Sequence, residues 1–294
     1  MVPAARAPRV GARAGLRCSL ASRCVERRRF LLFLAAGLAG TAVGRGTAGL
    51  VDPERAPVST ATAAEPVSLP GAGVLPAPTG VVDRLPGDGN SLALTIDDGT
   101  SSAVVRAFCR FAEDTGVRLT FFPNGRYSSW EENGDRLQPL VDSGQVAMGN
   151  HTWSHPDLTT LSDDEVAEEI GRNRDWIEST FGVRTPFLRP PFGSHDERVD
   201  RIGAEAGHPT VVMWNGTLED NRLLTPDQLM DAARRWFAAQ AVVVGHANQP
   251  TVTTVYDQLL GLLGERGLQT VTLADVWGTG LGGVRTTSGS APVA

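Results

Sequence analysis

The chain contains no lysine. All 27 of its basic residues are arginine, so a Schiff-base mechanism is excluded. Cysteine is almost as scarce, with Cys18, Cys24 and Cys109 the only three among 294 residues. The first two fall in the N-terminal segment and would leave with it, so no disulfide framework can form within one mature chain. Cys109 stands among Val105, Phe108 and Ala112, the setting of a small core residue rather than a nucleophile. A long hydrophobic run is missing too. The best stretch, Phe30 to Val43, falls short of the roughly 20 residues a membrane span needs. Positive charge is sparse beyond the N-terminus: residues 1–48 hold nine of the 27 basic residues and one acid, Glu26. The remainder carries 18 basic against 32 acidic residues, a net of −14. That balance argues against nucleic acid or an anionic membrane surface as a partner of the body of the protein.

What is present is an ordinary soluble composition, 41% hydrophobic and 20% charged, enough for one large or two small domains. The N-terminus, residues 1–48, reads as an export signal. Arg27-Arg28-Arg29-Phe30-Leu31 leads into the apolar run, resembling a twin-arginine (Tat) signal, and small residues around Gly46-Thr47-Ala48 offer a cleavage site. No cysteine follows the run, which speaks against a lipoprotein anchor, so the expected location is secreted or cell-wall associated, with no stable membrane partner. Residues 49–88, rich in Pro, Ala, Thr, Ser and Gly, are expected to be an extended linker, and residues 278–294 a disordered tail. The folded unit is then residues 89–277. The sequence carries no signal for an oligomeric state.

Within that unit, apolar runs alternate with helical patterns. The expected strands are Leu92–Ile96, Arg118–Phe122, Gln145–Gly149, Thr185–Leu188, Thr210–Trp214, Ala241–Gly245 and Leu268–Thr272. Ser162-Asp163-Asp164-Glu165 has the form of a capping box, and Thr225-Pro226 sets a cap before a first-turn proline. Strand–helix alternation with nearly continuous apolar strands predicts an α/β fold built on a parallel sheet: a distorted (β/α)7-type, TIM-like barrel, with an open doubly wound sheet as the alternative.

Polar residues gather where these strands end. Asp97 and Asp98 close the first, His151 and His155 follow the third, Arg189 ends the fourth, Trp214-Asn215 the fifth and His246 the sixth. Barrels of this kind build active sites on that face. Asp97-Asp98-Gly99 also suits a simple turn, but adjacent strand residues face opposite ways, so the two carboxylates can have separate tasks. His151 and His155, four apart, can meet one ion, and with a carboxylate they leave open coordination positions, as a hydrolytic zinc site requires. Such a set suits Zn²⁺ best and accepts Co²⁺ or Ni²⁺.

In this order the residues resemble the polysaccharide deacetylase family with its NodB homology domain (carbohydrate esterase family four). The carrying motifs are the Asp-Asp pair, His151-Thr152-Trp153-Ser154-His155, Arg189-Pro190-Pro191-Phe192, the late His246 and the segment Leu119 to Gly125. The resemblance implies a distorted (β/α) barrel and a metal-dependent hydrolase that removes acetyl groups, N-linked or O-linked, from a cell-wall or chitin-like glycan. It implies Asp97 as general base, Asp98, His151 and His155 as metal ligands and Arg189 as the residue that holds the base. The backbone N–H near Phe192 would be an oxyanion donor, and His246 the acid that protonates the leaving amine. There are departures. Ile96 and Phe192 replace the family's usual Phe and Tyr. More seriously, the fourth motif, Asp-x-x-Asp-Trp, aligns with Thr217-Leu218-Glu219-Asp220-Asn221. Either His246 loses basicity with the Asp that Thr217 replaces, or Asp220 must substitute. His195 and His208 are expected at the surface. Rival readings are a cyclic-amide hydrolase of the same fold and a non-catalytic, carbohydrate-binding wall protein with a decayed site.

Overall fold

A computed structural model of the chain describes residues 74–278. The expected signal, most of the linker and nearly all of the tail lie outside those residues. Eleven strands run β1 Leu75–Pro76, β2 Gly80–Val82, β3 Ser91–Asp98, β4 Leu119–Pro123, β5 Val146–Met148, β6 Phe187–Leu188, β7 Thr210–Val212, β8 Gly216–Thr217, β9 Ala241–His246, β10 Gln269–Thr270 and β11 Trp277–Gly278. Helices α1 Ser102–Thr115, α2 Ser129–Glu132, α3 Gly134–Asp142, α4 Asp163–Phe181, α5 Glu197–Glu205, α6 Pro226–Trp236, α7 Tyr256–Glu265 and α8 Leu273–Val276 fill the connections. The expected capping box of Ser162 with Glu165 opens α4, and the expected cap at Thr225 forms as a further box with Gln228, opening α6 behind Pro226.

All strand ladders are parallel, as the apolar strands imply. The principal sheet has the order β5-β4-β3-β9-β8, with β10 also on β3; β2-β7-β6 and β1-β11 form two further ladders. A bridge between Asn150 and Leu188 brings the end of β5 against β6. Among the described residues these ladders do not close into one ring. The architecture is the distorted (β/α)-barrel type of α/β fold, with breaks in its wall. All seven expected strands are present, several shorter than expected, and the short β1, β2, β8 and β11 are additional.

The strand β3 organises the interior. Leu92, Leu94 and Ile96 join the core beneath α1, α3, α6 and α7, while Ala93 belongs to the opposite core with Phe122, Phe187, Val212 and Val242. Thr95 and Asp97 continue that second face. Register then fixes the site: Asp97 is level with Phe122 of β4 and His246 of β9. Residues far apart in sequence meet because two parallel ladders end together.

Two expectations need correction. The folded unit begins before residue 89: β2 pairs with β7, β1 pairs with β11, and Leu85 is 2% exposed. These apolar positions are short and set among Pro and Gly, so they show no period. At the other end, Gly278, expected in the tail, pairs with Pro76. His208 is not a surface residue: it is 1% exposed, between α5 and β7. Burial drives its pKa down to about 4, with Arg174 adding to the push and the Thr185 carbonyl opposing it.

Since the unfolded chain binds that proton near pH 6.5 and the native chain does not until about pH 4, His208 costs stability as pH falls across this window. The loss should reach about 3 kcal/mol. Urea unfolding at pH 7 and pH 4.5 should therefore show a smaller acid loss for His208→Gln than for the parent; equal losses would refute the assignment.

Candidate metal and catalytic site

A cleft of about 700 Å³ opens at the carboxyl ends of β3, β5, β6 and β9, lined by Asp97, Asp98, His151, His155, Phe192 and His246 among others. Apart from Arg189, which lies beneath its floor, every residue expected to act lines it or adjoins it.

The Asp-Asp-Gly segment is not a helix cap. Asp98 takes φ of 70° and Gly99 φ of 96°, two successive left-handed residues. Gly99 is required there, because a Cβ would lie 2.2 Å from the Trp130 indole, whose N–H donates to the Asp98 carbonyl at 2.9 Å. The left-handed turn breaks the alternation of β3. Both carboxylates consequently enter one cleft rather than opposite faces, and they differ in their partners instead.

Asp97, 2% exposed, accepts at Oδ1 from Arg189 Nη1 at 2.8 Å. Arg189 is fully buried. It also donates to Thr95 Oγ1 at 2.7 Å and to the Val212 carbonyl at 3.0 Å, and its plane lies 4.2 Å from the Phe122 ring centroid. Asp97 Oδ2 is left toward the cleft, 3.8 Å from His151 Nε2.

Asp98 has the opposite arrangement. Its Oδ2 accepts from Asn248 Nδ2 at 2.6 Å, while Oδ1 is buried without a hydrogen-bond partner, 3.3 Å from Nε2 of both His151 and His155. Burial would raise its pKa, but in the metal-free site the adjacent His151, with His246 and His155 when they are protonated, outweighs that and holds it well below the usual carboxylate range. His151 Nδ1 is 2.7 Å from the Arg189 carbonyl, an oxygen that can only accept, so the proton sits on Nδ1 and Nε2 offers a lone pair. One carboxylate oxygen and two imidazole nitrogens thus converge within 4.8 Å of one another. An orphaned buried oxygen and two lone pairs fit a divalent cation, with the ligand set of an open zinc-type site.

On the far side of the cleft, His246 Nδ1 is 2.8 Å from Asp220 Oδ1, and Asp220 Oδ2 accepts from the His246 N–H at 3.1 Å. Of the two outcomes the fourth motif left open, the second holds. Asp220, 2% exposed, supplies the carboxylate, and Thr217 lines the cleft and accepts from Glu219 N–H at 2.9 Å. Burial depresses the His246 pKa, but the Asp220 hydrogen bond and charge, with Asp97 and Asp98 behind them, raise it to about 9. His246 is therefore protonated at neutral pH. Phe192, 69% exposed with φ of 60°, sets its ring edge-on to His155 at 4.6 Å.

His195 stands outside the cleft, paired with Asp200 at 2.8 Å, and Asn215 turns away to accept from Val242 N–H. Sequence reasoning missed Asn248, which holds Asp98 and also accepts from Thr100 N–H at 3.0 Å. Its place two residues after His246 was the available signal. Asn124 and Asn173, which support the His151 loop from below, carried none.

Residues 84–211 match the family model for polysaccharide deacetylase. Chitin deacetylase 1 of Cryptococcus neoformans var. grubii is 37% identical over 128 residues, 43% of this chain and 26% of that protein. The peptidoglycan-N-acetylglucosamine deacetylase PgdA of Listeria monocytogenes is 28% identical over 187 residues, 64% of this chain and 39% of that protein. This chain therefore spans about a quarter to two fifths of the length of these curated relatives. Among solved structures, a carbohydrate esterase family four pseudoenzyme from Bacillus anthracis matches with a TM-score of 0.61 at 24% identity, covering 68% of this chain and 69% of that one.

In metal-free protein, removing the Asp220 charge by Asp220→Asn should lower the His246 titration midpoint from about 9 to below about 7. An NMR titration of the imidazole reads this directly, and an unchanged midpoint would show that Asp220 does not set it.

Proposed function

We propose that this chain, whose residues 84–211 match the polysaccharide deacetylase family model, is a secreted, metal-dependent deacetylase that hydrolyses N-acetyl groups of a cell-wall or chitin-like glycan. The observation that carries the reading is the buried, unpartnered Asp98 Oδ1 between two histidine nitrogens, with a separately held carboxylate, Asp97, beside it. Asp98, His151 and His155 would hold the cation; the chemistry of the donor set suits Zn²⁺, with Co²⁺ or Ni²⁺ as substitutes. When bound, it would polarise the acetyl carbonyl and make water acidic enough to attack near neutral pH.

The protein's own groups divide the proton traffic. Asp97 is the base. Arg189 occupies Oδ1, which fixes the carboxylate's orientation and leaves Oδ2 to accept a proton from the attacking water. The backbone N–H of Phe192 is an oxyanion donor, and such a donor is worth about 3–4 kcal/mol in the transition state. His246, protonated and steadied by Asp220, gives its proton to the departing amine. Acetate and a free amine are the products, and no covalent intermediate with the protein is needed.

A carbohydrate-binding protein with a decayed site is the second reading, and the fold does not separate the two. The pseudoenzyme from Bacillus anthracis and a mutant of it with restored activity match this chain with the same TM-score of 0.61. Side chains must decide. In favour of turnover, base, three ligand groups and a paired acid meet at one cleft, with the base holder Arg189 buried beneath it. Among the described residues no helix is long and apolar enough to cross a membrane.

Acetate release from N-acetylglucosamine oligomers and from peptidoglycan, measured with the Zn²⁺-loaded full chain, tests the proposal. Chelation should abolish release and added Zn²⁺ restore it. Asp97→Asn should cut the rate about 10²–10⁴-fold while metal binding persists. A metal-loaded parent that frees no acetate from any acetylated glycan would overturn the reading.

A further inference from the structure

Beneath the loop that carries His151 and His155 lies a buried polar cluster that the chemistry above does not use. His208 Nδ1 is 2.9 Å from the Thr185 carbonyl oxygen, so the proton is on Nδ1 and Nε2 carries a lone pair. That lone pair faces the Asn150 amide nitrogen at 2.9 Å. Asn150 is itself fully buried and fully committed. Its Nδ2 also donates to the Ile170 carbonyl at 2.9 Å, and its Oδ1 accepts from Thr152 N–H at 2.9 Å and from Asn173 Nδ2 at 2.8 Å. Turning the amide over would set two donors against two donors and leave His208 without one. Thr152, between the two imidazole residues, is held at φ of 66°, and its Oγ1 accepts from His155 N–H at 3.2 Å. A continuous hydrogen-bonded line runs from Thr185 through His208, Asn150 and Thr152 to the backbone of His155.

We propose that His208 and Asn150 form a strut that sets the orientation of the metal-binding loop, with His208 a positioning residue for the cation site. The proposal rests on reading Asp98, His151 and His155 as ligands. A β-branched residue at positive φ is unfavourable and persists only where its surroundings hold it. Thr152 is held at its N–H by the Asn150 oxygen and at its carbonyl by Asn124 Nδ2 at 3.1 Å, and the hold on Asn150 includes His208. The His151 ring is tethered directly by the Arg189 carbonyl, whereas His155, itself at φ of 65°, is held at its N–H by Thr152 Oγ1, with Trp153 and Ser154 before it tied to Glu169. Loss of the strut should therefore fall mainly on His155. Groups that orient metal ligands in this way typically contribute about 10–100-fold in affinity.

The test is Co²⁺ binding by the full chain, in competition with a chromophoric chelator, with the visible spectrum of the bound ion as a second readout. Both are measured well below the melting temperature. His208→Leu keeps the bulk but removes donor and acceptor; it should weaken Co²⁺ binding about 10–100-fold and alter the spectrum. His208→Gln, which offers an amide oxygen to Asn150 and N–H to Thr185, should recover most of both. Asn150→Ser cuts the same line while leaving His208 its Thr185 bond, and carries the test should His208→Leu not fold. Combining His208→Leu with Asn150→Ser should add little to either alone. Parent-like Co²⁺ affinity and spectrum in folded His208→Leu or in Asn150→Ser would overturn the strut, as would losses that add in full. A parent that binds no Co²⁺ would overturn the ligand reading and the strut together. Failure of glycan deacetylation alone would leave these binding measurements as they are.

Discussion

Arg189 is a guanidinium with no water around it, and most of the polar order of this protein follows from that. Taking such a cation out of solvent is costly, and removing its counter-charge would cost several kcal/mol more. The fold answers with Asp97 and Thr95 on β3, the Val212 carbonyl on β7 and the face of Phe122 on β4. The Arg189 carbonyl, meanwhile, fixes which nitrogen of His151 carries the proton. One residue thus orients Asp97, turns the lone pair of His151 toward Asp98, and ties the small β2-β7-β6 ladder to the principal sheet. It makes the site and the wall of the fold a single problem in electrostatics.

Much of this was legible in the sequence because strand ends are. Apolar runs that stop at Asp97, Arg189 and His246 announce a face, and parallel pairing brings those ends into one cleft. What escaped detection depended on tertiary partners. A lone histidine such as His208 looks like surface until Thr185 and Asn150, 23 and 58 residues away, surround it. The alternation rule sends Asp97 and Asp98 to opposite faces. It fails at Asp98 because Gly99 packs so closely on Trp130 that the chain turns left-handed there. At the fourth motif, letter-by-letter alignment finds Thr217 where an Asp is usual. The loop geometry instead delivers Asp220, after Glu219 has taken φ of 56°. Function here is held by position in space, and position by a few residues with unusual backbone angles.

Those angles have a further consequence. Of the six non-glycine residues at positive φ among the described residues, five (Asp98, Thr152, His155, Phe192 and Glu219) stand on the loops that build the cleft. Each is held in a conformation that costs of order 1–3 kcal/mol, against the local preference of its own residue type. Glycine at any of them would relieve the strain and erase a side chain of the cleft or its support. Under the proposed function, loss of activity would therefore release strain, and only selection on turnover would oppose it. A scaffold built this way should generate well-folded, silent descendants readily. The pseudoenzyme of the same architecture, and the return of activity in a mutant of it, are what such a landscape leads one to expect.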